Sequence, residues 1–219
     1  MLLISQREVV EVLLHRYGQL YSDTLGLDLR LGTPSVLFQW LCAALLLGGR
    51  IRSTAAQQAA EALLRQGWST AEKLAASTWE ERTRVLNRSG YARYDESTSR
   101  RLGELAQRML DCYQGDLRRL REAAHRNPAE ERRLLQEFKG IGEVRADIFS
   151  REVQIVWEEL YPFADRRALN AAAQLGLGNQ TRSLVHLVDR SEFARLVAAL
   201  VRVDLGKHAP DILSEAGRP

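Results

Sequence analysis

From Ser35 to Leu47 the chain reads Ser-Val-Leu-Phe-Gln-Trp-Leu-Cys-Ala-Ala-Leu-Leu-Leu, apolar on almost every side of a helical wheel. A helix of that kind has no face to offer water and must be wrapped by others. The apolar run Leu37–Leu47 is interrupted by Gln39. It is also shorter than the roughly 20 residues that cross a bilayer. The segment therefore predicts the buried central helix of a helical bundle, broken by Gly48-Gly49.

Nothing in the chain alternates in the manner of strands, and the rest reads as helices marked off by caps. Gln6–Leu20 carries Val9, Val10, Leu13, Leu14 and Tyr17 at helical spacing. Ser53 is placed to cap a helix whose inner face is Ala56, Ala59, Ala60, Leu63 and Leu64. Ser69 with Glu72 and Ser77 with Glu80 fit capping boxes that open two short helices. The loop Ser89–Tyr94 leads into a helix from about Asp95 to Tyr113, Gly115-Asp116 starts another, and Asn127-Pro128 starts the next. A turn region spans Gly26–Pro34, and the tail from Gly206 to Pro219 reads as weakly ordered.

The richest segment is Phe138-Lys139-Gly140-Ile141-Gly142-Glu143-Val144-Arg145, a Gly-Ile-Gly turn between two helical patterns. Glycine at both positions allows positive φ and close approach to a ligand. The helix that opens at Gly142 points its unpaired N–H groups into the same space, where they favour an anion. A nucleic-acid phosphate held by backbone alone is one reading, and a tight loop between packed helices is the other. The spacing predicts that this second helix runs on to about Leu160. Pro162 ends it, and Asp165 follows as N-cap of a helix over 166–175. A last long helix is expected over Ser191–Leu205.

Composition narrows the chemistry. The chain has 219 residues, a net charge of +3 and 45% apolar residues, enough for one core or two small ones. Only Lys73, Lys139 and Lys207 are lysines among 31 basic residues, so amine chemistry is limited. Arginine suits phosphate and base contacts, and a GC-rich genome gives the same count. Cys42 and Cys112 lie far apart in apolar patterns, without metal-ligand spacing, and read as buried thiols of a reducing compartment. His15, His125, His186 and His208 form no ligand pair, so no metal site is expected. The start, Met1-Leu2-Leu3-Ile4, lacks the pattern of a signal peptide, and a cytoplasmic protein without membrane contact is expected.

The order of an apolar helix, a glycine break, short helices, a Gly-Ile-Gly hairpin and an aspartate at the next helix start resembles the helix-hairpin-helix DNA glycosylases of the endonuclease III family. The resemblance covers roughly residues 35–178 and rests on Phe38–Arg52, Gly90–Leu110 and Leu134–Leu177. It implies an all-α fold of two helical domains with a cleft between them. Residues 34–159 would be a bundle carrying the hairpin at about 128–159, and residues 1–33 with 160–219 would be the second domain. The implied partner is double-stranded DNA with a damaged base, bound by a monomer, and the implied activity is base-excision repair.

By the same resemblance Asp165 is the catalytic carboxylate, stabilising an oxocarbenium-like sugar. A plain helix cap is its other reading. The hairpin residues Lys139, Gly140, Ile141, Gly142 and Arg145, together with Arg166, would hold DNA, with Arg167 as a further phosphate contact. Arg50 would plug the gap left by the flipped base, where the family has a glutamine. The base pocket would draw on Trp40, Tyr91, Arg93 and Tyr94, with Asp95 beside them, through stacking and edge hydrogen bonds. For Trp40 plain core is the competing role, and for Tyr91 a packed loop anchor.

Departures from the family pattern matter as much. Members that also cut the strand place a lysine four residues after the first hairpin glycine; here that residue is Val144, which points to a monofunctional glycosylase. The four cysteines of the family's iron–sulfur loop are absent, so no cluster is expected, and the remaining cofactor expectation is a monovalent cation at the hairpin. The run from Val144 to Asp165 is longer than in common members by about one helical turn. Together these imply a divergent subgroup. A non-catalytic helix-hairpin-helix DNA-binding protein is the alternative.

Overall fold

The computed structural model describes residues 5–49 and 51–217, and 71% of those residues are helical, with no strand among them. The chain divides into two units, Leu25–Phe149 and the described residues of Met1–Thr24 with Ser150–Pro219. The second crossing from one unit to the other, at 149/150, lies inside a helix.

The first unit is built around α3 (Pro34–Leu47), capped by Thr33 and buried from Leu37 to Leu46 except Gln39. Around it come α4 (Ser53–Leu64), α5 (Ala71–Ala76), α6 (Trp79–Leu86), α7 (Asp95–Tyr113), α8 (Leu117–Ala123) and α9 (Pro128–Gln136). α4 packs on α3, and α5 and α6 pack on α7. The inner stripe of α7 is Leu102, Leu105, Ala106, Met109 and Tyr113. Cys112 lies off that stripe and is exposed, correcting the buried thiol expected there, whereas Cys42 is buried and its thiol pKa is pushed up by desolvation.

Local chemistry shifts three expected caps. α5 is capped by Thr70, not Ser69, whose carbonyl instead accepts the Ser35 hydroxyl at 2.9 Å. That register turns Ala71 and Leu74 inward. α6 is capped by Thr78 in a capping box with Glu81, one residue beyond the expected pair, because Ser77 closes α5 by donating to the Leu74 carbonyl at 2.6 Å. α4 begins at Ser53 itself, with no side-chain cap. Arg82 then ties these segments together: it donates to the carbonyls of Ser99 at 3.1 Å and Ser77 at 2.6 Å. A Cβ at Gly103 would come within 2.7 Å of its guanidinium. This explains a glycine in mid-helix, where it costs roughly 1 kcal/mol against alanine.

The second unit comprises α1 (Gln6–Tyr17), α2 (Tyr21–Thr24), α11 (Arg166–Gln174), α12 (Thr181–Leu184), α13 (Arg190–Gly206) and α14 (Ala209–Ala216). Alanines 168, 171 and 172 let α11 lie close on α13, whose inner residues include Leu196, Val197 and Leu200. The expected loose tail is instead α14, with Ala209, Ile212 and Ala216 buried against α1 and its neighbours. Pro210 sits in its first turn, where a missing N–H is harmless. Arg195 and Arg202 donate to the carbonyls of Gly18 at 2.8 Å and Tyr17 at 3.0 Å, satisfying the end of α1.

The helix in which the chain passes from one unit to the other, α10 (Glu143–Val153), is shorter than the sequence predicts. After Val153 the backbone tightens through Trp157 N–H to the Val153 carbonyl at 2.8 Å and passes into a short 3₁₀ turn, Glu158–Leu160. The Gln154 amide fixes this exit: its nitrogen donates to the Phe163 carbonyl and its oxygen accepts the Phe163 N–H, both at 2.9 Å. No helix among the described residues is long and apolar enough to cross a membrane.

Candidate nucleic-acid interface

The hairpin turn is anchored by Phe138 and Ile141, each 1% exposed. Ile141 N–H donates to the Phe138 carbonyl at 2.9 Å, and Gly140 between them sits at φ +93. The Gly142 carbonyl accepts the N–H groups of Arg145 at 3.1 Å and Ala146 at 3.0 Å, so α10 opens on a residue with no side chain to cap it. The first N–H groups of that helix have no intrahelical acceptor. Space around a Cβ at Gly142 is open, and Glu143 and Val144 are exposed. The outer surface of the turn is therefore bare backbone, the form of donor that takes a phosphate.

Side chains around the turn differ from expectation. Lys139 is exposed and paired with Glu104 at 2.7 Å. Arg145 turns inward rather than outward, donating to the carbonyls of Leu45 at 2.8 Å and Gly140 at 2.7 Å. It holds the turn against the end of α3, and desolvation lowers its pKa. The Gly140 carbonyl, an oxygen a cation could take, accepts one guanidinium N–H. Among the described residues no cluster of His, Cys, Asp or Glu is placed to hold a metal ion. Arg101 of α7 lies over Gly140, its Cδ 2.9 Å from where a Cβ would be. No sequence signal marks it, because the contact joins residues far apart in the chain.

The glycine break after α3 serves the same turn. A Cβ at Gly48 would meet Arg145 Cγ at 2.4 Å, and one at Gly49 would meet the Tyr91 hydroxyl at 2.2 Å. Gly48 has φ −81, so space and not backbone freedom requires the glycine. Gly48→Ala is expected to displace Arg145 and cost about 1–3 kcal/mol, as overpacking does. Urea unfolding measures this; an unchanged midpoint would mean that the arginine stem swings aside freely.

The expected base-pocket residues separate. Trp40 is 1% exposed and donates from Nε1 to the Phe149 carbonyl at 3.1 Å, a core residue and not a pocket wall. Tyr91 is also buried, its hydroxyl 3.3 Å from the Leu46 carbonyl and its pKa raised by desolvation, which makes it the loop's anchor. Arg93 remains exposed over the Tyr94 ring at 5.3 Å, and both line a shallow hollow with Asp95 and Arg100. Arg50, the expected plug, lies outside the described residues.

In the other unit, Asp165 caps α11 as expected: Oδ1 accepts Ala168 N–H at 3.2 Å. Its second oxygen is taken by Arg151 Nη2 at 2.5 Å. Both residues are buried, 8% and 7% exposed, and Arg151 Nε has no hydrogen-bond partner. Sequence reasoning missed Arg151 and Gln154, since polar residues in a helical pattern read as solvent-facing. Beside them Glu152 is wholly buried and accepts the Tyr21 N–H at 2.7 Å and Ser22 N–H at 2.9 Å; burial raises its pKa against those bonds. Arg166 is exposed, and Arg167 pairs with Asp204 at 2.8 Å.

Two solved structures share this architecture. One is a trapped endonuclease III–DNA covalent intermediate in an estranged-adenine complex, at TM-score 0.50, and the other a non-covalent endonuclease III–DNA complex at 0.52. Each is 14% identical and covers 92% of this chain and 86% of its own. The fold is that of endonuclease III. No family model matches the sequence, and no curated protein does. The endonuclease III fold is thus recovered here at an identity where sequence comparison alone finds nothing.

Proposed function

We propose that the protein is a DNA base-excision glycosylase, monofunctional and monomeric, that hydrolyses the N-glycosidic bond of a flipped damaged base in duplex DNA. The observation that carries this reading is a glycine-opened hairpin helix followed by an aspartate at the next helix start, within the endonuclease III fold. The hairpin grips a phosphate through backbone N–H groups, with Arg101 adding charge, whereas the Lys139 charge is shared with Glu104. Asp165 faces the positive charge that develops on the sugar as the C1′–N bond breaks. Water then adds to C1′ and the base departs with the bonding electron pair and a proton. Strand cleavage in the family the sequence resembles calls on a lysine amine as nucleophile. Here Val144 stands four residues after Gly140, and the next lysine in the chain is Lys207, so strand cleavage is not part of the proposal.

The Arg151–Asp165 pair favours a second reading, a non-catalytic protein that binds DNA or its lesions. A guanidinium on the carboxylate cancels part of the charge that an oxocarbenium ion would feel. A panel of duplexes, each with one damaged base, separates the two readings when free-base release and strand breakage are scored separately. The glycosylase reading expects base release without breakage for at least one lesion, lost in Asp165→Asn. Binding with no release from any duplex by the wild type would leave the second reading standing.

A further inference from the structure

Away from the hairpin, two hollows lie on either side of one arginine pair. The larger, about 730 Å³, lies between α4 and α6 and is lined by Gln58, Gln66 and Trp68. The smaller, about 310 Å³, is lined by Trp79, Thr83 and Asn87. Arg84 and Arg88 belong to the walls of both. These two are exposed, four residues apart, and neither has an ion-pair partner among the described residues. Each hollow thus offers one tryptophan, with a doubly cationic ridge between them. Trp79 is held in place by its Nε1 bond to the Glu96 carbonyl at 3.3 Å and is 36% exposed, unusual for a side chain of its size. Two acids line the hollows: Glu81, in the larger, accepts the Thr78 N–H at 2.8 Å, and Glu80, in the smaller, is exposed, so the arginine pair keeps a net positive charge against one uncommitted carboxylate.

We propose that this surface binds single-stranded DNA, one nucleotide per hollow, with the bases against Trp68 and Trp79 and the intervening phosphate on Arg84 and Arg88. Aromatic wall, cation and aromatic wall follow the order of base, phosphate and base along a single strand, whose unpaired bases have faces free to stack. A duplex keeps its bases inside and offers only the phosphates. Hollows of a few hundred Å³ are the size that takes small organic groups such as a base with its sugar. No hairpin residue lines either hollow, so the site is separate from the phosphate grip.

Fluorescence anisotropy with a labelled oligothymidylate and with a matched undamaged duplex, over a salt series, tests the proposal. In Arg84→Gln/Arg88→Gln the single strand is expected to bind about tenfold more weakly, and the slope of log affinity against log salt to shrink by about 1.4, two single-strand phosphate contacts' worth. Arg84→Lys/Arg88→Lys should keep most of the slope. Trp79→Leu should weaken single-strand binding about fivefold or more through lost stacking while leaving the slope alone. Duplex affinity stays at the wild-type value in all three. An unchanged single-strand affinity and slope in the Gln variant overturns the proposal, as does an equal loss for both DNA forms. The arginines are surface residues, so thermal melts should match the wild type. The hairpin reading fails or stands on duplex binding alone, which keeps the two outcomes apart.

Discussion

Replacing Arg151 with alanine should destabilise the protein by about 3–5 kcal/mol, the usual cost of removing one member of a buried ion pair. The carboxylate of Asp165 would then be buried with Ala168 N–H as its remaining donor, and a charge in that state is far costlier than a missing contact. Asp165→Asn is expected to cost less, because its amide oxygen still caps α11. A double variant, Arg151→Met with Asp165→Ser, should recover most of the loss, since the serine hydroxyl caps the helix and no charge remains to be compensated. Urea unfolding gives the sizes, and hydrogen exchange at the Ala168 amide reports whether the loss lies at α11. The result also bears on function. If Arg151→Ala costs under about 0.5 kcal/mol, the figure typical of exposed positions, the pair is open to water in solution. Asp165 would then be free to face a sugar, which strengthens the glycosylase reading. A cost at the top of the range makes the aspartate a structural cap first.

This pair also shows where reading the sequence stops. The all-round apolar α3 was legible because only one environment suits it, and the caps at Asp116, Asn127 and Asp165 were legible because their chemistry is local. The hairpin was legible because φ +93 at Gly140 admits few residues besides glycine. By contrast, Ser150, Arg151, Glu152 and Gln154 are all buried, though each would read as solvent-facing. Their partners, Asp165, Ser22 and Phe163, come from elsewhere in the chain, and no helical period encodes such a match. The same limit applies to Arg145, whose inward turn depends on the space at Gly48. The cap register at Thr70 and Thr78 failed for a different reason. Serine and threonine stand side by side at both places, and only the packing of Ala71 and Leu74 and the bonding of Ser77 decide between them.

The second large effect is expected at Gly142. Its backbone is not in the left-handed region and nothing stands within 4 Å of a Cβ, so Gly142→Leu should fold with a wild-type melting curve. Gly140 offers no such clean probe, because φ +93 and the nearby Arg101 would strain any side chain there. A leucine at 142 would hold a phosphate away from the first N–H groups of α10. Losing one charge-assisted hydrogen bond costs about 1.5–3 kcal/mol, which is about tenfold to a hundredfold in duplex affinity. The loss should be equal for unrelated sequences, since a backbone donor reads no base. The salt slope should stay as it was, because no cation has been removed. Arg101→Gln should do the reverse, lowering the slope by about 0.9 with a smaller loss of affinity. A folded Gly142→Leu variant that binds duplex as tightly as the wild type would leave the hairpin as a loop between packed helices, and the DNA reading would then rest on fold likeness without a contact to support it.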